Sequence, residues 1–84
     1  MYAQEELKMD KAKKILEALG GQANVVELEP CITRLRVEVK NADEVNEDDL
    51  KEAGAFGVVR SGRIIQVIVG PEADSIAAQL QEDL

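Results

Sequence analysis

Eighty-four residues carrying a net charge of −7 allow one compact core and argue against a nucleic-acid or anionic-membrane binder, whose phosphates would repel such a surface. A single cysteine and no histidine exclude a disulfide framework, a cysteine-based zinc site and most transition-metal sites, so neither a metal nor a cofactor is expected. The apolar fraction is 45%, yet Tyr2 and Phe56 are the only aromatics, so Val, Ile, Leu and Ala must build the core. The longest apolar stretch, "IIQVIVG", is far too short to span a bilayer, and the charged start "MYAQEELKMDKAKK" has no signal-peptide core. A soluble cytoplasmic domain without membrane insertion is the expectation.

The segment "DKAKKILEALGG" reads as an amphipathic helix. Ala12, Ile15, Leu16 and Leu19 recur at helical spacing, Asp10 is placed to cap the start, and Gly20 and Gly21 end it. Residues 1–9 either extend this helix or fray. "NVVELE" follows as a short strand with Val26 and Leu28 on one face, interrupted by Pro30 and Cys31, since proline removes a ladder donor and favours a turn. "TRLRVEV" alternates: Leu35, Val37 and Val39 point to a core, and Arg34, Arg36 and Glu38 point away. The pair makes a strand–turn–strand with cysteine at the tip.

"NADEVNEDDLKEAG" holds a short helix capped by Asn46, with acids in its first turn and Gly54 as its stop. "AFGVVR" and "RIIQVIVG" are two strands joined as a hairpin across "SG". "PEADSIAAQLQEDL" closes the chain as a helix, with Pro71 near its first turn and Ile76, Ala77 and Leu80 as the buried stripe. The order α-β-β-α-β-β-α, in one domain spanning residues 1–84, is that of an α+β fold: a two-layer α/β sandwich with a four-stranded antiparallel sheet and helices on one face.

The turn at "EPCITRLRVEV" carries the chemistry. A cysteine exposed there has the amides of Ile32, Thr33 and Arg34 around it as a small anion nest. Arg34 and Arg36, two positions apart, project from one face of the outgoing strand. Positive charge and backbone dipoles beside a sulfur favour its thiolate, and the same groups stabilise an anion attached to it. Phosphate suits them, because the guanidinium fork matches phosphate oxygens in pairs and phosphoryl transfer is mainly positioning and charge stabilisation. Thr33 adds a hydroxyl. The lack of a histidine base argues against a cysteine protease or similar acyl-transfer enzyme. The plainer reading stands beside this one: lone cysteines are commonly buried, and alternating arginines are commonly the wet side of a sheet.

"CITRLRVEV", with "LKEAGAFGVV" and "IIQVIVG" further on, resembles the enzyme IIB domain of the bacterial sugar phosphotransferase system, glucose / N-acetylglucosamine family. The likeness runs from "ILEALGG" through the last helix, and "CITRLR" is that family's phosphorylation-site signature. The resemblance implies a carrier. Cys31 would accept a phosphoryl group from a phosphohistidine of enzyme IIA and donate it to a sugar held by the membrane enzyme IIC. Arg34 and Arg36 match the family's two arginines, with Arg36 tied to the onward step. The family's sheet order, 1-2-4-3, brings "GAFG" and the "GPE" corner to the end of the sheet that carries Cys31. Gly57 and Val58 then become candidate apolar contacts for enzyme IIA, and Arg60 and Arg63 become solvated hairpin charges at the opposite end. Glu72 and Asp74 read as dipole-matching acids at the last helix's start, and "EDD" at 47–49 as a solvated first turn.

A monomer is the expected state, peripheral to the inner membrane face through enzyme IIC. The sugar expected first is N-acetylglucosamine, then glucose or maltose. "MYAQEELKMD" reads as a genuine start, which favours a free-standing polypeptide over a piece of a fused permease. Two other functions remain: a phosphorylation-dependent regulatory binding module that never passes its group to sugar, and a thiol redox sensor, which lacks a resolving cysteine.

Overall fold

The computed structural model describes residues 11–84; the expected cap at Asp10 and the fraying of residues 1–9 lie outside them. Helix α1 runs through 11–18. It ends where Gly21 N–H donates to the Leu16 carbonyl and Gly20 N–H to the Glu17 carbonyl. This paired closure places Gly20 at φ 104°, where a side chain is disfavoured. Strands β1 (Val25–Cys31) and β2 (Arg34–Val39) follow, then helix α2 (Glu47–Glu52), strands β3 (Gly57–Ser61) and β4 (Ile64–Ile68), and helix α3 (Ala73–Asp83). Asn46 caps α2 by accepting from Asp49 N–H at 3.1 Å, and Gly54 and Ala55 close it by the same paired pattern.

The four strands form one antiparallel sheet in the order β1-β2-β4-β3, as expected, with the fold class α+β. Leu28, Leu35, Val37, Val39, Ile65 and Val67 from the sheet join Ala12, Ile15, Leu50, Ala73, Ile76, Ala77 and Leu80 from the helices, and Leu19 just past α1, in a single buried cluster. All these side chains are aliphatic, so the core is filled by branched residues alternating along the strands and recurring at helical spacing. Among the described residues, the other face of the sheet carries no helix.

Four local expectations change. Val26 is 52% exposed rather than inward, because the ladder slips between Val25 and Glu27. The extra residue of this bulge turns outward, and Val25 and Leu28 share the core face instead. β1 continues through Pro30 to Cys31, so proline does not interrupt it. β1 is an edge strand, where a missing N–H costs no ladder bond. The second hairpin turns on Gly62–Arg63 rather than "SG". Arg60 is exposed, as expected, but it is not unpartnered: it donates to the carbonyls of Ala42 at 3.1 Å and Val45 at 2.6 Å and pairs with Glu47 at 3.3 Å, pinning the loop that leads into α2.

Asn24 is the one buried polar side chain among the described residues, 2% exposed. Its amide donates to the carbonyls of Leu19 at 2.7 Å and Asn41 at 3.1 Å and accepts from Asn41 N–H at 2.9 Å. It therefore ties the end of α1 to the segment after β2. Replacing it with Ala leaves those backbone groups unpaired, and Asn24→Ala is expected to lose about 1–3 kcal/mol of stability in urea unfolding.

Candidate functional site

β1 and β2 are joined by the two-residue turn Ile32–Thr33, closed by the pairing of Cys31 with Arg34. Opposed residues of an antiparallel pair lie roughly 5 Å apart at Cα and point to the same side. Leu35 and Val37 are fully buried beneath the helices, so alternation sends Cys31, Arg34 and Arg36 to the uncovered face. There, Cys31, Arg34, Ile68 and Gly57 form one row across the sheet, and Glu29, Arg36, Gln66 and Val59 form the next. Cys31 is an exposed free thiol. The buried, inert reading of this cysteine does not hold.

The two arginines differ in restraint. Arg34 is half-buried, and its Nη1 donates to Gln66 Oε1 at 2.7 Å. One edge of its guanidinium is thus fixed by β4, and the remaining N–H groups stay available. Arg36 is exposed and makes no hydrogen bond or ion pair among the described residues. A fixed donor beside the sulfur and a movable one a row behind can follow a charged group as it arrives and leaves.

The turn itself is strained. Ile32 has φ 57°, the one non-glycine residue with positive φ among those described. A β-branched residue there is a conformational outlier, and such sites cost roughly 1–3 kcal/mol. Positive φ at the first central position but not the second has the sense of a type II′ turn, which suits a two-residue hairpin and is usually supplied by glycine. The Thr33 carbonyl accepts from Val69 N–H at 3.0 Å and Gly70 N–H at 2.9 Å, which holds the turn against the corner between β4 and α3. Of the three amides expected around the sulfur, Arg34 lies in the ladder. Those of Ile32 and Thr33 meet no protein acceptor among the described residues, and both residues are exposed.

Apolar surface surrounds this end of the sheet. Ile32 is 84% and Phe56 78% exposed. Phe56 N–H donates to the Ile68 carbonyl at 2.7 Å, and the ring lies over Gly70. Gly57 and Val58 are half-buried, with Val58 packed against the core. The exposed apolar side chains are thus those of Ile32 and Phe56, which the sequence reading did not single out as contacts. Phe56 was read as part of the strand "AFGVVR", but β3 starts only at Gly57, so its ring precedes the strand and fills no core position. Glu72 pairs with Lys11 at 3.0 Å, and the acids 47–49 lie in the first turn of α2, so neither group belongs to the sulfur's surroundings. A groove of about 610 Å3 lined by Lys14, Glu17, Asp49 and Glu52 lies between α1 and α2, on the helix side. The sulfur instead stands on a projecting turn, a geometry for meeting another macromolecule.

A family model described as "phosphotransferase system, EIIB" matches residues 13–46. The N-acetylglucosamine-specific EIIB component of the phosphotransferase system (PTS) of Streptomyces coelicolor is 54% identical over 72 residues, covering 86% of this chain and 94% of that protein. The chain belongs to the EIIB family of the phosphotransferase system. EIIB components are phosphotransferases, and this chain is one of them. The glucose-specific EIICBA component of Staphylococcus carnosus is 46% identical over 69 residues, covering 82% of this chain but 10% of that longer protein. In structure, one domain of the PTS system IIabc component from Clostridium difficile matches with a TM-score of 0.79, over 90% of this chain and 81% of that one. At 23% identity that likeness speaks for the fold alone. Among the described residues, no helix is long and apolar enough to cross a membrane.

The strain at Ile32 has a measurable consequence. Glycine adopts positive φ freely, and Ile32 contributes almost nothing to the core. Ile32→Gly is therefore expected to raise the stability of the isolated protein by about 1 kcal/mol, the relief of strain exceeding glycine's entropic penalty, read as a higher urea midpoint.

Proposed function

We propose that Cys31 is the phosphoryl carrier of this EIIB, taking its group from a phosphohistidine of enzyme IIA and giving it to a sugar bound by the membrane enzyme IIC. The observation that carries this reading is an exposed sulfur at a projecting turn, with Arg34 and Arg36 on the same face of the sheet. In the first step the Cys31 thiolate attacks phosphorus, the S–P bond forms and the P–N bond breaks. The electron pair returns to the imidazole nitrogen of enzyme IIA, which leaves as a neutral imidazole because the ring's other nitrogen carries a proton. In the second step a sugar hydroxyl attacks the same phosphorus and the S–P bond breaks. The thiolate is regenerated and the hydroxyl proton passes to a base outside this chain, which holds no histidine.

The roles follow from the restraints. The amides of Ile32 and Thr33 and the tethered guanidinium of Arg34 hold the phosphoryl oxygens through charge-assisted hydrogen bonds. Arg36 supplies the movable charge that follows the group to the sugar. Ile32 and Phe56, with Gly57 beside them, form the apolar contact for enzyme IIA, and the sulfur sits at the edge of that contact. Working between these partners places the protein in the cytoplasm at the inner membrane face, as a monomer. The naming of the Streptomyces coelicolor relative favours N-acetylglucosamine as the sugar, and that of the Staphylococcus carnosus relative puts glucose next.

A reconstituted assay with phosphoenolpyruvate, the general carriers, enzyme IIA and enzyme IIC tests the reading. Cys31→Ser is expected to abolish acceptance of phosphate from enzyme IIA. Arg36→Ala is expected to fold within about 0.5 kcal/mol of wild type, to accept phosphate, and to lower sugar phosphorylation by about 100-fold. Wild-type phosphorylation of Cys31→Ser contradicts the carrier assignment, and undiminished sugar phosphorylation by Arg36→Ala contradicts its role. In a panel of sugars, N-acetylglucosamine is expected to be consumed fastest.

A further inference from the structure

We infer that Gly70 is a positioning residue for phosphoryl transfer, acting through its N–H on the Thr33 carbonyl; this rests on Cys31 being the carrier. The Ile32–Thr33 turn has an unfavourable backbone, with Ile32 at φ 57°, and nothing in its own sequence compels it. The restraint comes from across the sheet, where the Thr33 carbonyl accepts two N–H groups, from Val69 at 3.0 Å and Gly70 at 2.9 Å. A trans peptide is planar with its C=O and N–H opposed. Fixing the Thr33 carbonyl toward the β4 side therefore aims the Arg34 N–H the other way, toward β1 and Cys31. The same peptide plane sets where the Arg34 side chain leaves the backbone, with its Nη1 already tied to Gln66 on β4.

Position 70 accepts little besides glycine. Gly70 is buried with φ 80°, and a Cβ there would stand 3.0 Å from Phe56 Cε2. The corner is braced from behind as well, because Glu72, two residues on, pairs with Lys11 of α1. Gly70 thus lies between two things that transfer requires: the exposed ring of Phe56 on one side and the carbonyl that fixes the turn on the other. It touches neither sulfur nor cargo. Its effect is on how often the turn presents the sulfur, two amides and Arg34 in the geometry for attack.

A positioning role separates from a contact role in the kinetics. The test uses the full chain with phosphorylated enzyme IIA as the varied substrate, comparing wild type with two variants at position 70. Gly70→Ala adds a strained side chain. A semisynthetic chain with glycolic acid at position 70, an ester in place of the amide, deletes the N–H and adds no atom that could clash. The ester variant is expected to lower the saturated rate of Cys31 phosphorylation by about tenfold or more, with the half-saturating concentration of enzyme IIA unchanged within twofold. Amide exchange at Val69 is expected to speed up with it. Phe56→Ala, a contact variant, is expected to raise the half-saturating concentration of enzyme IIA. An ester variant transferring at the wild-type rate overturns the inference while leaving the carrier reading in place, provided that wild type is phosphorylated on Cys31. A Gly70→Ala chain that is slow only in proportion to the fraction unfolded, beside a normal ester variant, overturns it too. If wild type is not phosphorylated on Cys31, both readings fall.

Discussion

The pairing of Cys31 with Arg34 is the constraint on which the site depends. In an antiparallel hairpin, sliding the register by one residue exchanges the two faces of a strand. Here the register is locked by burial: Leu35, Val37 and Val39 fill the core with no exposed surface, so β2 has a single acceptable face. Once β2 is fixed, a two-residue turn leaves Cys31 no choice but the uncovered side, beside Arg34 and diagonal to Arg36. The hydrophobic core therefore positions a polar site that it does not touch.

The same arrangement explains how an acidic chain presents a locally basic surface. A net charge of −7 discourages nonspecific association. Within it, two guanidinium groups share one end of one sheet face with the sulfur. One of them is tied down by Gln66 and the other has no partner among the described residues. Strain enters at the same place: a β-branched residue occupies a turn position suited to glycine, and the Val69–Gly70 corner holds it there. Backbone strain of this kind persists only where neighbouring structure overdetermines it. In this protein the neighbouring structure is the start of the last helix, which belongs to the folded core through Ala73, Ile76, Ala77 and Leu80.

Much of this was legible in the sequence, because the signals were local. Asn46 and Gly54 mark α2, Gly20 and Gly21 end α1, and the alternation of "RLRVEV" fixes which side of β2 meets the helices. The spacing of Cys31, Arg34 and Arg36 put all three on one face of the hairpin, which the register bears out, and the "CITRLR" resemblance gave the family. What was not legible depends on tertiary context. The bulge at Val26 follows from fitting β1 to the length of β2, which no local pattern records. Pro30 looked like a strand breaker because an edge strand cannot be told from a central one before the sheet order is known. Arg60's partners were missed because its acceptors are backbone carbonyls 15 and 18 residues away. Ile32 and Phe56 were passed over as contacts because apolar residues are ordinarily assigned to a core, and their exposure follows from the turn and the corner that hold them.

The most direct test of the central claim is to locate the phosphoryl group chemically. The protein is incubated with phosphorylated enzyme IIA, quenched without acid, and digested for peptide sequencing by mass spectrometry, with a thiol-alkylating reagent added to a parallel sample. The account predicts one phosphoryl group, on the sulfur of Cys31, and loss of Cys31 alkylation in proportion to phosphorylation. A phosphoryl group on any other side chain, with Cys31 still fully alkylated, would contradict it.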